Sequence, residues 1–229
     1  MKNGLSVVRF VFVAALVTTL LTLRTHATLL DFETLPGGGT PTEGMSISNQ
    51  FQASLGIRFK NSDGSSPIIV QTGSPGFAFT SAYGDDTPAP GEDPGSSFML
   101  NISTNGPTSD LIAGYSLPET DVGGVILDID GAEAWTIHAL NASNVTIDTL
   151  VLDTTSPHTG DALATPWAFH HASADISAVR FIFTGAQSST TGVAFDNFTF
   201  DTVPEPTTVA LVAAGLLLVL PRARRKFTS

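Results

Sequence analysis

The sequence predicts an all-β domain, a two-sheet, jelly-roll-like β-sandwich, and three observations carry that prediction. Apolar runs in the middle of the chain are short and are separated by Gly, Pro, Ser, Asn and Asp. None sustains a helical period over a useful length. Several alternate instead: Val125, Leu127 and Ile129 fall on one face against Ile126, Asp128 and Asp130, and Val179, Phe181 and Phe183 oppose Arg180 and Ile182. Many short strands with frequent turn signals make a sandwich or a barrel, because each sheet must bury one face against another.

Taken in order, the runs bounded by turn formers predict strands at Leu29 to Phe32, Met45 to Ile47, Gly56 to Phe59, Ile68 to Gln71 and Phe77 to Thr80. Further strands follow at Phe98 to Ile102, Leu111 to Leu117, Val125 to Asp130, Trp135 to Leu140 and Val145 to Leu152. Trp167 to His170, Val179 to Phe183 and Val193 to Phe200 complete the set. One short helical turn is expected at Gln50 to Ser54. The longest excursion is Gly84 to Ser97, which carries Asp85, Asp86, Glu92, Asp93 and three prolines. Its acids lack the EF-hand spacing and read as a solvated loop.

The two ends differ from this middle. Lys2 and Arg9 make a basic start, Phe10 to Leu23 an apolar run, and Thr25-His26-Ala27 a small-x-small site, so residues 1–27 read as a signal peptide cleaved by signal peptidase after Ala27. At the other end, Val203-Pro204-Glu205-Pro206 precedes the uncharged run Thr207 to Leu220, and Arg222, Arg224, Arg225 and Lys226 follow it. Those fourteen uncharged residues would span about 21 Å as a helix, against a hydrocarbon core of about 30 Å, which makes a marginal single transmembrane helix. The basic cluster should stay cytoplasmic. Pro204 and Pro206 disfavour helix around Glu205 and leave an extended peptide that a protease can reach.

These parts in this order resemble the PEP-CTERM sorting tail, here residues 203–229. The resemblance implies an exported protein of a Gram-negative envelope, membrane-anchored by its tail and then trimmed by exosortase. It also implies a link to exopolysaccharide and a final place at the cell surface or in the extracellular matrix. The opening Leu30-Asp31-Phe32-Glu33, the Gly56-Ile57-Arg58-Phe59 run and the closing Phe195-Asp196-Asn197-Phe198-Thr199-Phe200 look like the first and last strands of many PEP-CTERM ectodomains. Those are similar to galactose-binding-like and lectin-like sandwiches, which places the ectodomain at residues 28–202.

Without its ends the chain is strongly acidic. Residues 28–203 hold three basic residues, Arg58, Lys60 and Arg180, and 20 acids, a net charge of −17. Such a domain repels nucleic acid and anionic lipid and attracts divalent cations. There is no cysteine, so disulfides, thiol nucleophiles and thiolate metal sites are excluded.

The last strand carries the main candidate for chemistry. Phe195 has one parity and Phe198 and Phe200 the other, so the strand must be interrupted at Asp196-Asn197, most simply by a bulge. A bulge can aim the Asp196 carboxylate and the Asn197 carbonyl at one point. First and last strands often pair in sandwiches, which brings Asp31 or Glu33 to the same point and gives hard oxygen ligands suited to one structural Ca²⁺. The alternative is that Asp196-Asn197 only shapes the strand and Asp31 or Glu33 is a solvated edge charge. Asp128 and Asp130 share one strand face about 6 to 7 Å apart, which suits either a glycosidase carboxylate pair or two outward acids at a strand end. His138, His158, His170 and His171 form no metal-binding pattern, and no nucleophile elbow or phosphate-cradling loop is present. Trp135 reads as core, whereas Trp167, beside Pro166, is the ring best placed to stack on a sugar.

These features favour a non-catalytic surface or matrix protein that binds a glycan, an exopolysaccharide or a partner. The alternatives are a secreted carbohydrate-active enzyme using paired carboxylates, and a purely structural or adhesive coat protein.

Overall fold

The computed structural model describes residues 27–72, 92, 95–101, 109–186 and 194–201. The signal-peptide segment up to His26, the expected strand Phe77 to Thr80, most of the acidic excursion and the tail from Val203 lie outside the described residues.

Eleven strands and one helical turn run in order among these residues. They are β1 (Thr28–Leu30), α1 (Gln52–Leu55), β2 (Ile57–Asn61), β3 (Ile68–Gln71), β4 (Ser97–Leu100) and β5 (Leu111–Glu119). Then come β6 (Asp121–Ile129), β7 (Ala134–Leu140), β8 (Thr146–Asp153), β9 (Gly160–His170), β10 (Ile176–Phe183) and β11 (Ala194–Phe200). One sheet has the order β3-β4-β11-β6-β9, with β1 pairing β11; the other has β2-β5-β10-β7-β8. All pairings are antiparallel. This is the expected all-β, two-sheet arrangement.

Period-2 patterning builds these strands. In β2, Ile57, Phe59 and Asn61 are buried while Arg58 and Lys60 are exposed, as a strand with one face on a core requires. The helical turn falls two residues beyond its expected start and is closed by Gly56, whose φ of 79° is costless only without a Cβ.

Rings lock the two sheets together. Phe198 of β11 meets Phe59 of β2 at 5.1 Å, Trp167 of β9 at 5.8 Å and Phe181 of β10 at 6.1 Å between centroids. Phe32 packs on Phe51, Phe59 and Phe198. Trp135 is fully buried against Phe183 and Phe195, as its place at a strand start predicted.

Three expectations need correction. Met45 to Ile47 is not a strand; it makes one isolated bridge, Ser46 to Ile68. The first strand stops at Leu30, since Phe32 turns into the left-handed region (φ 54°) to place its ring in the core. The alternation in β6 also fails. Ile126 and Ile129 face the main core, while Leu127 joins Val70, Phe98 and Ala194 in a separate cluster. The cause is a register shift between Leu127 and Ile129, with Asp128 at φ 66°.

Candidate functional site

The interruption expected in β11 is present. Asp196 pairs with Val125 and Thr199 with Gly123, so three residue steps on β11 oppose two on β6. Asn197 takes up the extra residue at φ 52°, a conformation Asn tolerates better than most side chains. The slip lets both Phe195 and Phe198 enter the core, and it buries Asp196 completely.

β1 runs antiparallel to β11, with Leu30 opposite Phe198. The chain therefore continues into Asp31 and Glu33 beside the bulge, where both carboxylates act electrostatically on Asp196. The first and last strands thus place Asp31 and Glu33 within electrostatic reach of Asp196, but among the described residues only Asp128, Asp130 and Glu133 bring three carboxylates close enough to share one ion. The roles of Asp31, Glu33 and Asp196 differ. Asp31 Oδ1 accepts the Glu33 backbone N–H at 3.1 Å. Glu33 accepts three bonds, from Ser96 N–H (2.6 Å), Ser96 Oγ (2.9 Å) and Ser97 N–H (2.8 Å), and so ties the start of β4 to the start of the domain. Asp196 has no hydrogen-bond partner on either oxygen. Burial pushes its carboxyl up to about 9; the Asn197 N–H opposes this without completing a hydrogen bond, and Asp31 and Glu33 add to it.

A second feature lies on the outward face of the five-stranded sheet, where a cavity of about 540 Å³ opens. Two cross-strand rows build it. Lys60, Ile112, Arg180 and His138 stand side by side on β2, β5, β10 and β7. Arg58, Gly114, Ala178 and Leu140 form the adjacent row. Gly114 and Ala178 keep the middle low, and a Cβ on Gly114 would sit 3.4 Å from Arg58 Nε. Asn141 and Asn144 of the β7–β8 turn and Thr146 at the start of β8 close one end. Tyr115 and Ser177 also line the cavity, and each has a buried hydroxyl oxygen without a hydrogen-bond partner. Sequence reasoning missed this site because its residues come from four separate strands. The available signal was that all three cations of residues 28–203 occupy outward strand positions.

A cavity of about 500 Å³ also opens on the six-stranded sheet, beside Asp121, Gly123, Gly124, His170, Asn197 and Thr199. Asp121 pairs with His170 there, and hydrogen bonds from His170 and Thr120 hold its carboxyl below the usual range. Trp167 borders this cavity, but it is not the exposed ring expected. It is 2% exposed and packs edge-on against Phe181 and Phe198. Gly124 makes room for it, since a Cβ there would lie 2.9 Å from the indole. Trp167 is a core residue, as its buried neighbour in register, Phe169, also is.

The acids of β6 differ from expectation as well. Asp128 is buried, not outward, and one oxygen from each of Asp128, Asp130 and Glu133 lies within 4.8 Å of the others. Neither cavity is lined by any of these three. Glu92, from the acidic excursion, meets His158 Nε2 at 3.0 Å and accepts the Ala164 N–H at 3.2 Å.

No family model and no curated relative matches the chain. Among solved structures, the K2 cleaved adhesin domain of Lys-gingipain (Kgp) matches with a TM-score of 0.45 and 12% identity, over 78% of this chain and 98% of that one. The enzymatically active domain of bacteriophage CBA120 tailspike protein 4 matches with a TM-score of 0.34 and 13% identity. That match covers 69% of this chain and 21% of the tailspike chain.

Proposed function

We propose that this is an exported, envelope-sorted surface or matrix protein whose jelly-roll-like sandwich acts by binding and is braced by one structural calcium ion. The observation that carries the binding reading is the open cavity on the five-stranded sheet. Its volume falls within the roughly 300–1,000 Å³ range of small-ligand sites, and its lining mixes polar groups with a flat apolar floor. The brace rests on Asp196, a fully buried carboxylate without a hydrogen-bond donor, beside two further carboxylates and a bulge. Burial favours the protonated acid there, and a bound cation would take the place of that proton; oxygen ligands suit Ca²⁺. Sorting rests on the tail sequence and on the spacing of its parts.

Binding is tested with the full chain on an array of exopolysaccharide fragments. Gly114→Phe fills the trough from a position whose backbone accepts a side chain, and it should abolish retention while leaving the circular dichroism spectrum unchanged. Retention equal to that of the parent protein rules the cavity out. Turnover of any fragment, lost on Asp128→Asn or Asp130→Asn, would establish the enzyme reading instead. For sorting, the intact mass in a host with exosortase should correspond to a start near Thr28 and loss of residues beyond Pro204-Glu205-Pro206. A mature species that keeps Arg222 to Lys226 would contradict it.

A further inference from the structure

Resting on the binding reading of the five-stranded sheet, we infer that the ligand of this face is an acidic polysaccharide, a chain of uronate residues. Arg58, Lys60 and Arg180, the three basic residues of the segment 28–203, all line this one cavity, and among the described residues no carboxylate lines it. In a segment of net charge −17 each cation would be expected beside an acid, yet among the described residues only one of the three is. Arg180 is held by Asp110, which accepts from its Nε at 2.7 Å and from its Nη2. Arg58 and Lys60 form no ion pair with any described carboxylate. Two exposed cations are thus available, and the third is fixed in place by its pair.

The spacing suits an extended polyanion. With a rise of about 3.3 Å per residue and about 4.8 Å between strands, the Cα atoms of Arg58 and Lys60 stand about 7 Å apart. Arg180 lies two strands away, about 10 Å across the sheet. A polymer with a carboxylate on each unit can meet them in succession, while His138, Asn141, Asn144 and Thr146 offer hydrogen bonds to its hydroxyls. Nucleic acid is the poorer fit. Three cations neutralise few phosphates, and among the described residues no exposed aromatic ring on this face offers a base a stacking surface. The acidity of the remaining surface then restricts a polyanion to this face.

The experiment is titration calorimetry of the full chain in neutral detergent with three probes: a hexameric oligogalacturonate, the same hexamer fully methyl-esterified, and hexameric oligodeoxythymidylate. The acidic hexamer should bind at least about tenfold more tightly than its neutral ester, and its affinity should fall as salt rises. Arg58→Gln with Lys60→Gln should weaken it by a further factor of at least about ten while leaving the melting temperature unchanged. Equal binding of the acidic and neutral hexamers would overturn the charge inference and leave the binding reading standing. If neither hexamer binds, both fail. Oligonucleotide binding as tight as that of the uronate would overturn the saccharide assignment. Uronate binding that survives the double substitution would also overturn it, since calcium bridges on the acidic surface would behave in that way.

Discussion

Asp196 has neither solvent nor a hydrogen-bond donor for its carboxylate, with two more carboxylates beside it. A calcium ion that binds only the folded protein adds about 2.7 kcal/mol at a hundred times its dissociation constant, a melting shift of roughly 5 to 10 °C for a chain of this length. Chelator should reverse the shift and Asp196→Asn should abolish it. Magnesium is the control, since it holds its waters and demands octahedral geometry; equal shifts with both ions, surviving in Asp196→Asn, would mean diffuse screening of the net charge. Glu119 makes a separate prediction. It is buried at the end of β5, and burial, then the neighbouring Asp201, push its carboxyl up from 4.5 to about 7, against a backbone hydrogen bond from Asp201. Between these values the folded state keeps a proton that the unfolded chain releases, so stability falls as pH rises through that window. Glu119→Gln should therefore gain about 1–3 kcal/mol relative to the parent between pH 4 and pH 8, read by urea unfolding. A difference that does not change with pH would contradict the assignment.

At the level of elements, the two bulges show what a sequence can and cannot announce. In β11 the slip was legible, because Phe195 and Phe198 cannot both be core residues of an unbroken strand. In β6 it was not, since Ile126, Leu127 and Ile129 are all apolar and either parity reads as satisfied. Asp128 was consequently read as outward when the bulge buries it. Trp167 misled for another reason: Pro166 suggested a loop edge, whereas β9 starts at Gly160 and carries both residues within the strand. The outer-face cavity required the strand order β2-β5-β10-β7, which no local pattern encodes. The β11 bulge can be tested directly. Asn197 sits at φ 52°, so Asn197→Val should cost about 1–2 kcal/mol while Asn197→Gly costs far less. Equal losses for the two would mean that the side chain, not the backbone, matters at this position.

At the scale of the whole molecule, two antiparallel sheets share one aromatic core. The six-stranded sheet joins the first and last strands at the carboxylates of Asp31, Glu33 and Asp196. The five-stranded sheet gathers the three cations of an otherwise acidic segment on its open face. The proposed binding face is this second one. It is tested most directly by hydrogen exchange of the full chain with and without a saturating acidic exopolysaccharide. Binding should slow exchange of the amides of Arg58, Lys60, Gly114, Ala178 and Arg180 several-fold and leave β9 unchanged. Protection confined instead to Asp121, Gly123 and His170, around the cavity of the six-stranded sheet, would contradict the account.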